Sequence, residues 1–381
     1  MRESVNEEVM EIFETAFNSL EDVGLEKCQS VGDYWNSKVD PVIIDSFEPD
    51  EGKLYLAQCV LNHKKLSMMC NEGAPRLKNV DISSYIAFSV VPENMGFVLF
   101  ENGYKRVVAK ILEDIPKGVI HKEHKVCSIH HKLDSGNRIQ VSCKNGSKFL
   151  CDGVVVTVSP IVLKKMLTQD GCFSPPMPKQ KLEALQSIEL SNTVKLFFKF
   201  KTSYPNRKAQ YIHFFPSNQS MLKSDFAYAY SVDRIGSSEW WLLWVNSNLV
   251  KALKRFKTPK EFLDNLFEYA HENYERFPNG LEVDVENIVM HDWENDSNYL
   301  GAYSRFEPSS KTLYEIIPEL RKPVIFNSSV DAVSKEVDGV GNSQILLSGE
   351  ITHDQFFSTT HAGFAVGIRD AKIVANFLLN S

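Results

Sequence analysis

The stretch LLSGEITHDQFFSTTHAGFAVGIRDA, residues 346–371, decides the fold of this chain. Its apolar start predicts a strand over 344–348, the Gly-Glu pair predicts a turn, and a helix is predicted over about 360–379. A helix start presents free backbone N–H groups and the positive end of the helix dipole. It therefore suits an anion or an electron-rich carbonyl of a cofactor.

The turn and the helix start carry polar side chains that suit ligand binding. Glu350 stands at the strand end, where its carboxylate would accept hydrogen bonds from ligand hydroxyls. Ser358, Thr359 and Thr360 belong to the start of the helix. The pattern alone also fits an ordinary strand–helix connection, with Thr360 as N-cap and Glu350 as a surface acid, and that structural explanation is the more frequent one.

Strand patterns occupy much of the remaining chain. Five β-forming residues in a row at 154–158 predict a strand buried on both faces. Short strands at 126–131, 138–143 and 148–151, with the turn Asn145-Gly146, predict an antiparallel meander. Residues 193–200 alternate between apolar and polar side chains and predict a strand with one buried face.

Helical patterns separate these strands. Apolar side chains recur at helical spacing over 4–20, 53–72 and 258–275. Residues 80–100 are β-prone, with breakers at Pro92 and Gly96. We therefore expect a mixed α/β chain in which two domains exchange segments.

Composition and charge argue against several classes of partner. Of the 381 residues, 43% are hydrophobic and 24% are charged, which is typical of a globular protein. The formal net charge of −7 argues against nucleic acid as a partner, because phosphate binding needs a basic face. No window approaches 18 consecutive apolar residues, so no membrane span is expected.

The cysteines and the chain ends indicate a compartment. The seven cysteines form no CxxC pair, which argues against a disulfide framework or a metal site and favours a reducing compartment. The acidic sequence MRESVNEEVMEIF lacks the apolar core of a signal peptide, and NFLLNS is not a peroxisomal address. We therefore expect a cytoplasmic location, while the oligomeric state stays open.

The stretch at 346–371 resembles the C-terminal signature of flavin amine oxidases, in which a strand leads into Gly-Glu-x-Thr-His, an aromatic pair and Ser-Thr-x-His. The aromatic pair, usually two tyrosines, is Phe356 and Phe357 here, and the usual His-Gly-Ala is reordered at 361–363. Thr359 resembles the small residue that the polyamine oxidase branch has where monoamine oxidases place an active-site tyrosine. The matching residues are Gly349, Glu350, Thr352, His353, Ser358, Thr359, Thr360, His361, Gly367 and Arg369.

The resemblance implies roles for residues of this stretch and of segments before it. FAD is the implied cofactor, with Glu350 at its ribityl or ribose region and the helix start, with Thr359 and Thr360, near the flavin. Gly349, in the turn before Glu350, is a further implied cofactor-binding residue. Lys195 lies where the family has a lysine that reaches flavin N5 through a water.

Further segments extend the resemblance. Val126 matches a position near the FAD adenine, and Trp293 matches a tryptophan near the flavin. Tyr303, Phe357 and Thr359 would line the substrate pocket, and Trp244 resembles a tryptophan of a substrate-domain strand. No cysteine follows Cys172, so the resemblance implies noncovalent FAD.

One family feature has no match. The strand–GxGxxG–helix segment that holds the FAD pyrophosphate is absent near Met1, and Gly339-Val-Gly341 lacks a third glycine and precedes a strand. We therefore expect the chain to start inside the family's sequence. Strands 154–158 and 344–348 would then lack sheet neighbours, and FAD would lack its pyrophosphate anchor.

The resemblance implies an incomplete Rossmann-like FAD-binding domain interleaved with a substrate domain of mixed sheet and helices. The expected segments are a helical part of the substrate domain at 1–98, FAD-domain segments at 99–165 and 336–381, and the rest of the substrate domain at 166–335. The implied reaction oxidises a polyamine (spermine, spermidine or an acetylated form) with O2 to an aldehyde, a shorter amine and H2O2. The alternative is a truncated, inactive homologue that serves as a binding protein.

Overall fold

The computed structural model describes residues 2–18, 29–88, 100, 103–132, 138–216, 223–326 and 343–380. The helices are α1 (Arg2–Asn18), α2 (Val31–Tyr34), α3 (Asp40–Phe47), α4 (Glu51–Asn71), α5 (Ile82–Ala87), α6 (Lys105–Glu113), α7 (Pro160–Thr168), α8 (Lys179–Gln186), α9 (Ser247–Leu253), α10 (Pro259–Asn273), α11 (Leu313–Arg321) and α12 (Thr360–Asn380). The strands are β1 (Val126–Lys132), β2 (Arg138–Cys143), β3 (Lys148–Cys151), β4 (Gly153–Val156), β5 (Phe173–Ser174), β6 (Ile188–Leu190), β7 (Val194–Phe200), β8 (Tyr211–His213), β9 (Ser231–Arg234), β10 (Trp241–Val245), β11 (Val283–Met290), β12 (Ser304–Phe306), β13 (Val324–Phe326) and β14 (Ser343–Leu347). Within these residues, no helix combines the length and the apolar content needed to cross a bilayer.

The predicted C-terminal strand lies inside a small sheet of order β13-β14-β4. β14 pairs in parallel with β4 and antiparallel with β13, so the expectation that this strand lacks neighbours is wrong. β4 forms the edge of the sheet in the described part of the chain. Val155 on β4 is 39% exposed, which corrects the prediction of a strand buried on both faces.

The predicted meander is confirmed. β1, β2 and β3 pair antiparallel in order, and β5 adds in parallel to β1. Gly146 adopts φ +90° at the β2–β3 turn, a left-handed conformation that glycine enters at little cost.

The largest sheet has five strands in the order β11-β7-β10-β9-β8, and its two faces have different surroundings. The predicted alternation of β7 is confirmed, because Val194, Leu196 and Phe198 are buried in an apolar core against α9 and α10. Since side chains alternate along a strand, Lys195 lies on the opposite face. That opposite face contributes to the candidate site.

Helix α5 replaces part of a predicted β segment. Residues 82–87 are helical although their side chains are β-prone, while 89–99 lie outside the described residues. The Asp81 carboxylate accepts a hydrogen bond from the Ser84 N–H at 2.8 Å and so caps the helix start. This cap outweighs the weak strand preference of the sequence that follows it.

Lys181 joins two helices through a buried ammonium group. Its side chain on α8 is fully buried, and Nζ donates to the carbonyl oxygens of Leu320 at 3.0 Å and Lys322 at 2.5 Å. It also donates to the Glu319 carbonyl oxygen. These carbonyls end α11, where backbone acceptors have no helical partner. Burial lowers the pKa of Lys181 to about 8.

We predict that Lys181→Met destabilises the folded chain by roughly 2–4 kcal/mol, because buried carbonyl oxygens lose their donor. Chemical unfolding monitored by circular dichroism measures this change. Lys179→Met, on the same helix, is the control, since its side chain is 85% exposed and should change stability by less than about 0.5 kcal/mol. Equal effects of the two substitutions would contradict the proposed role of Lys181.

Candidate active site

A cavity of about 540 Å³ lies beside the end of β14, and we call it the strand-end cavity. It is lined by residues of 157–160, 299–303 and 348–351, and by the first two turns of α12. A second cavity of about 580 Å³ adjoins it and is called the aromatic cavity. Its lining residues are Cys70, Asn71, Glu72, Tyr85, Phe88, Trp244, Tyr303, Ser304, Phe357, Ser358 and Thr359.

The cavities meet at shared walls. Tyr303, Ser358 and Thr359 line both of them. The Tyr303 hydroxyl donates to the Cys70 carbonyl oxygen at 2.5 Å, which ties the shared wall to the end of α4. The two cavities are therefore neighbours on either side of these residues.

Glu350 organises the strand-end cavity. Its Oε2 accepts hydrogen bonds from the Ser304 hydroxyl at 2.9 Å and from the Ser358 N–H at 2.5 Å. Burial raises the pKa of Glu350, and these two hydrogen bonds act in the opposite direction. No described residue donates a hydrogen bond to Oε1, so this oxygen can accept one from a ligand.

Ser358 has a strained backbone at the junction of the cavities. Its φ of +66° lies in the left-handed region, which is unfavourable for a residue with a side chain. The hydrogen bond to Glu350 holds its N–H, and its hydroxyl donates to the Ser304 carbonyl oxygen. Such strain is typical of functional sites, where the surroundings hold one conformation.

The start of α12 differs from the simple capping expectation. Thr359, and not Thr360, accepts a hydrogen bond from the Ala362 N–H at 3.2 Å and caps the first turn. The Thr360 hydroxyl instead hydrogen-bonds the Tyr104 hydroxyl at 3.2 Å. Both threonines nevertheless line the strand-end cavity, together with Gly349.

Glycines give α12 a bare face toward the strand-end cavity. Gly363 and Gly367 lie one turn apart and both line the cavity. A Cβ placed on either residue would meet no atom within 4 Å, so open space lies directly beside the helix backbone. This face can accept a broad, flat ligand at close range.

Glu72 is the one carboxylate among the described residues of the aromatic cavity. Burial raises its pKa to about 7. Burial also raises the pKa values of Cys70 and Tyr85 to about 12 and raises that of Tyr303. Glu72 is therefore the lining group that changes charge near neutral pH.

Aromatic rings form the rest of this cavity wall. The Phe357 ring makes edge contacts with Phe88 and Phe306, with centroid distances of 5.5 and 4.9 Å. Tyr303 and Phe357, predicted as substrate-pocket residues, are thus placed together with Thr359.

Three predicted residues line neither cavity. Lys195 places Nζ 4.5 Å from the ring centroid of Trp244, which does line the aromatic cavity. Desolvation lowers the pKa of Lys195, although part of its side chain reaches solvent. Trp293 supports the cavity wall, because its carbonyl oxygen accepts from the Gly301 N–H at 2.9 Å. Val126 begins the meander opposite Cys143.

Glu72 was missed by sequence reasoning, although a signal exists. It follows the last residue of α4, where the helix dipole disfavours a negative charge. The next residue, Gly73, has φ +60°, and a Cβ there would lie 2.4 Å from the Ser191 Cβ. A carboxylate at such a crowded helix end has no obvious structural benefit and therefore suggests a function.

The family model for flavin containing amine oxidoreductase matches residues 58–375. This chain belongs to that family. It is 25% identical over 337 residues to probable polyamine oxidase 5 of Arabidopsis thaliana, covering 79% of this chain and 59% of the relative. It is 24% identical over 367 residues to the peroxisomal N(1)-acetyl-spermine/spermidine oxidase of Bos taurus, covering 90% of this chain and 66% of the relative. The chain thus spans about three fifths to two thirds of the length of these relatives.

The fold is similar to that of cyclohexylamine oxidase from Brevibacterium oxydans IH-35A. The TM-score is 0.64 at 13% sequence identity, with 97% of this chain and 75% of the other covered. This likeness confirms the expected mixed α/β flavin amine oxidase fold.

The residues of the strand-end cavity fit a flavin. The bare face of α12 offers close approach to a flat ring, and Glu350 Oε1 offers an acceptor for a hydroxyl. The N–H groups at the start of α12 suit a carbonyl oxygen. The described residues contain no group of three or more potential metal ligands.

We predict that Gly367→Leu weakens FAD binding at least about tenfold, because the new side chain fills the space beside α12. Leucine favours a helix over glycine by roughly 0.8 kcal/mol, so the thermal unfolding temperature should not fall. FAD binding is measured by the absorbance retained after desalting. Ala371→Leu, one turn further along the helix and outside the cavity, is the control and should bind FAD normally.

Proposed function

We propose that this chain belongs to an FAD-dependent amine oxidase that acts on polyamines, converting them with O2 to an aldehyde, a shorter amine and H2O2. The observation that carries the proposal is the position of Glu72. It places a carboxylate in an aromatic cavity that shares lining residues with a cavity suited to flavin.

The aromatic cavity suits the chemistry of a polyamine. Such a molecule alternates apolar methylene segments with amines that are cationic at neutral pH. Aromatic walls from Tyr85, Phe88 and Phe357 suit the methylene segments, and aromatic faces also attract cations. Glu72 supplies a negative charge that would pair with one ammonium group and so recover part of the cost of burying both charges.

FAD would occupy the strand-end cavity and supply the two-electron oxidation. Glu350 would accept from a ribityl or ribose hydroxyl, while Gly349, Thr359 and Thr360 would face the flavin. Noncovalent binding is proposed because no cysteine follows Cys172.

Lys195 would act at the edge of the flavin through a water molecule, as the family resemblance implies. Two observations support that role: the pKa of Lys195 is lowered by burial, and its ammonium lies 4.5 Å from the centroid of the Trp244 ring. Val126 and Trp293 are proposed to lie near the adenine side and the flavin, respectively.

The names of the relatives favour amine oxidation over the alternative of an inactive binding protein. They include a probable polyamine oxidase and an N(1)-acetyl-spermine/spermidine oxidase. The choice among spermine, spermidine and acetylated forms, and a cytoplasmic location, remain part of the proposal.

The proposal is tested by mixing the purified chain with FAD, removing free cofactor and recording the visible spectrum. We expect a flavin band that bleaches when spermine, spermidine or N1-acetylspermine is added without oxygen. Admission of oxygen should restore the band with release of H2O2. A protein that retains flavin but is not bleached by any of these amines would refute the proposed substrate class.

A pH dependence follows from Glu72. Its carboxyl is ionised above its pKa of about 7 and neutral below it, so attraction for a cationic amine falls as the pH falls. We expect KM for spermine to rise about tenfold from pH 8 to pH 6, since one pH unit below a pKa leaves about one tenth of the group ionised. Glu72→Gln should have the higher KM at both pH values.

Spermine itself changes its ionisation with pH, and this contribution to KM is the same for both proteins. It therefore cancels when the pH profile of Glu72→Gln is compared with that of the unmodified chain. Glu51→Gln, the same substitution at the exposed start of α4, should leave the pH dependence of KM intact. Identical pH profiles for Glu72→Gln and the unmodified chain would contradict the assignment of Glu72.

A further inference from the structure

Lys195, Trp244 and Asp233 share one face of the sheet that carries β7. Lys195 on β7 is directly opposite Trp244 on β10. Asp233 on β9 is opposite Leu242, which lies two residues before Trp244 and therefore on the same face. The register of three neighbouring strands thus aligns a cation, an indole and a carboxylate in a row.

The row is connected by contacts. The Lys195 ammonium lies 4.5 Å from the centroid of the Trp244 ring, within the range in which a cation is attracted to an aromatic face. Burial raises the pKa of Asp233, and hydrogen bonding from the Ser231 and Trp244 side chains opposes that rise. The indole N–H is the only donor of a tryptophan side chain, so it is the group of Trp244 that can hydrogen-bond the Asp233 carboxylate on the shared face.

Trp244 contacts both the lysine and the aromatic cavity. Its side chain lines that cavity, whereas Lys195 lines neither the aromatic nor the strand-end cavity. A long lysine side chain has several rotatable bonds and would otherwise sample many positions. The indole therefore limits where the ammonium can lie.

We propose that Trp244 is a positioning residue, which holds the Lys195 ammonium against one face of its ring, and that Asp233 fixes the orientation of the indole. The importance of this arrangement for oxidation rests on the function proposed above, but the arrangement itself belongs to the chain without a cofactor.

The same pair of strands contains a natural control. The Lys199 ammonium lies 5.2 Å from the Trp240 ring centroid, so a second lysine–tryptophan contact occurs four residues away from the first. Trp240 directly precedes β10 and, unlike Trp244, lines neither the aromatic nor the strand-end cavity. Variants of Trp240 therefore report the effect of losing a lysine–tryptophan contact on this sheet.

The arrangement is tested by NMR of the chain with its lysines reductively methylated with 13C, which keeps their charge. The Lys195 signal is assigned by its loss in Lys195→Arg. We expect it to be shifted upfield by the indole ring, to move to the position of solvent-exposed lysines in Trp244→Leu, and to keep part of the shift in Trp244→Phe. In Asp233→Leu the upfield shift should decrease, while Trp240→Leu should leave the Lys195 signal in place.

A Lys195 signal that has no upfield shift in the unmodified chain, or that does not move in Trp244→Leu, would overturn the proposal. An unchanged signal in Asp233→Leu would overturn the part assigned to Asp233. These results require neither FAD nor activity, so they are independent of whether the chain oxidises polyamines.

Kinetics of the FAD-loaded protein test the consequence. Asp233 does not line either cavity, so Asp233→Leu should lower kcat about tenfold with little change in KM if it acts through Lys195. In a Lys195→Met background, Asp233→Leu should cause no further loss, because the group it positions is already gone. Additive losses in the double variant would overturn a role through Lys195.

Discussion

The Glu350 carboxylate connects three segments that are distant in the sequence. Its Oε2 accepts hydrogen bonds from Ser304 on β12 and from the Ser358 N–H that precedes α12, while Glu350 itself follows β14. These bonds hold the left-handed Ser358 and thereby set the direction in which α12 starts. Because Tyr303 is the neighbour of Ser304 and lines both cavities, the same junction places the shared wall. A charged acceptor at such a site is more directional and stronger than a neutral one.

Glu350 and Glu72 are two partly buried acids in different surroundings. Burial raises the pKa of each carboxyl. At Glu350 two hydrogen bonds from the protein oppose that rise, whereas the raised pKa of Glu72 is due to burial alone. A buried carboxyl without compensation is costly in its ionised form. The contrast suggests a structural and cofactor-related task for Glu350 and a task for Glu72 that is completed by a cationic ligand.

The sequence predicts the features that depend on local pattern. The alternation of β7, the turn at Gly146 and the strand–turn–helix around Glu350 all depend on residues close in the chain, and the structure agrees. Helix α5 escaped prediction because a single cap at Asp81 outweighs weak strand preferences. The Lys195–Trp244 contact escaped because a period of two indicates a face but not the partner strand or its register. Glu72 escaped because its place after the last residue of α4 does not show which cavity it lines. The placements of Lys195, Val126 and Trp293 as cofactor residues stay predictions.

The two cavities share one wall, but their remaining walls come from different parts of the fold. The aromatic cavity is lined by the end of α4, by α5 and the adjacent Phe88, by Trp244 on β10, by Tyr303 and Ser304, and by the segment around Phe357. The strand-end cavity lies against a sheet whose outer strand, β4, has an open edge and an exposed Val155 in the described residues. Under the proposed function, amine recognition and flavin binding would therefore depend on largely different residues. A weak affinity for flavin would reflect the strand-end cavity, while the charge and the walls of the aromatic cavity would still select an apolar cation.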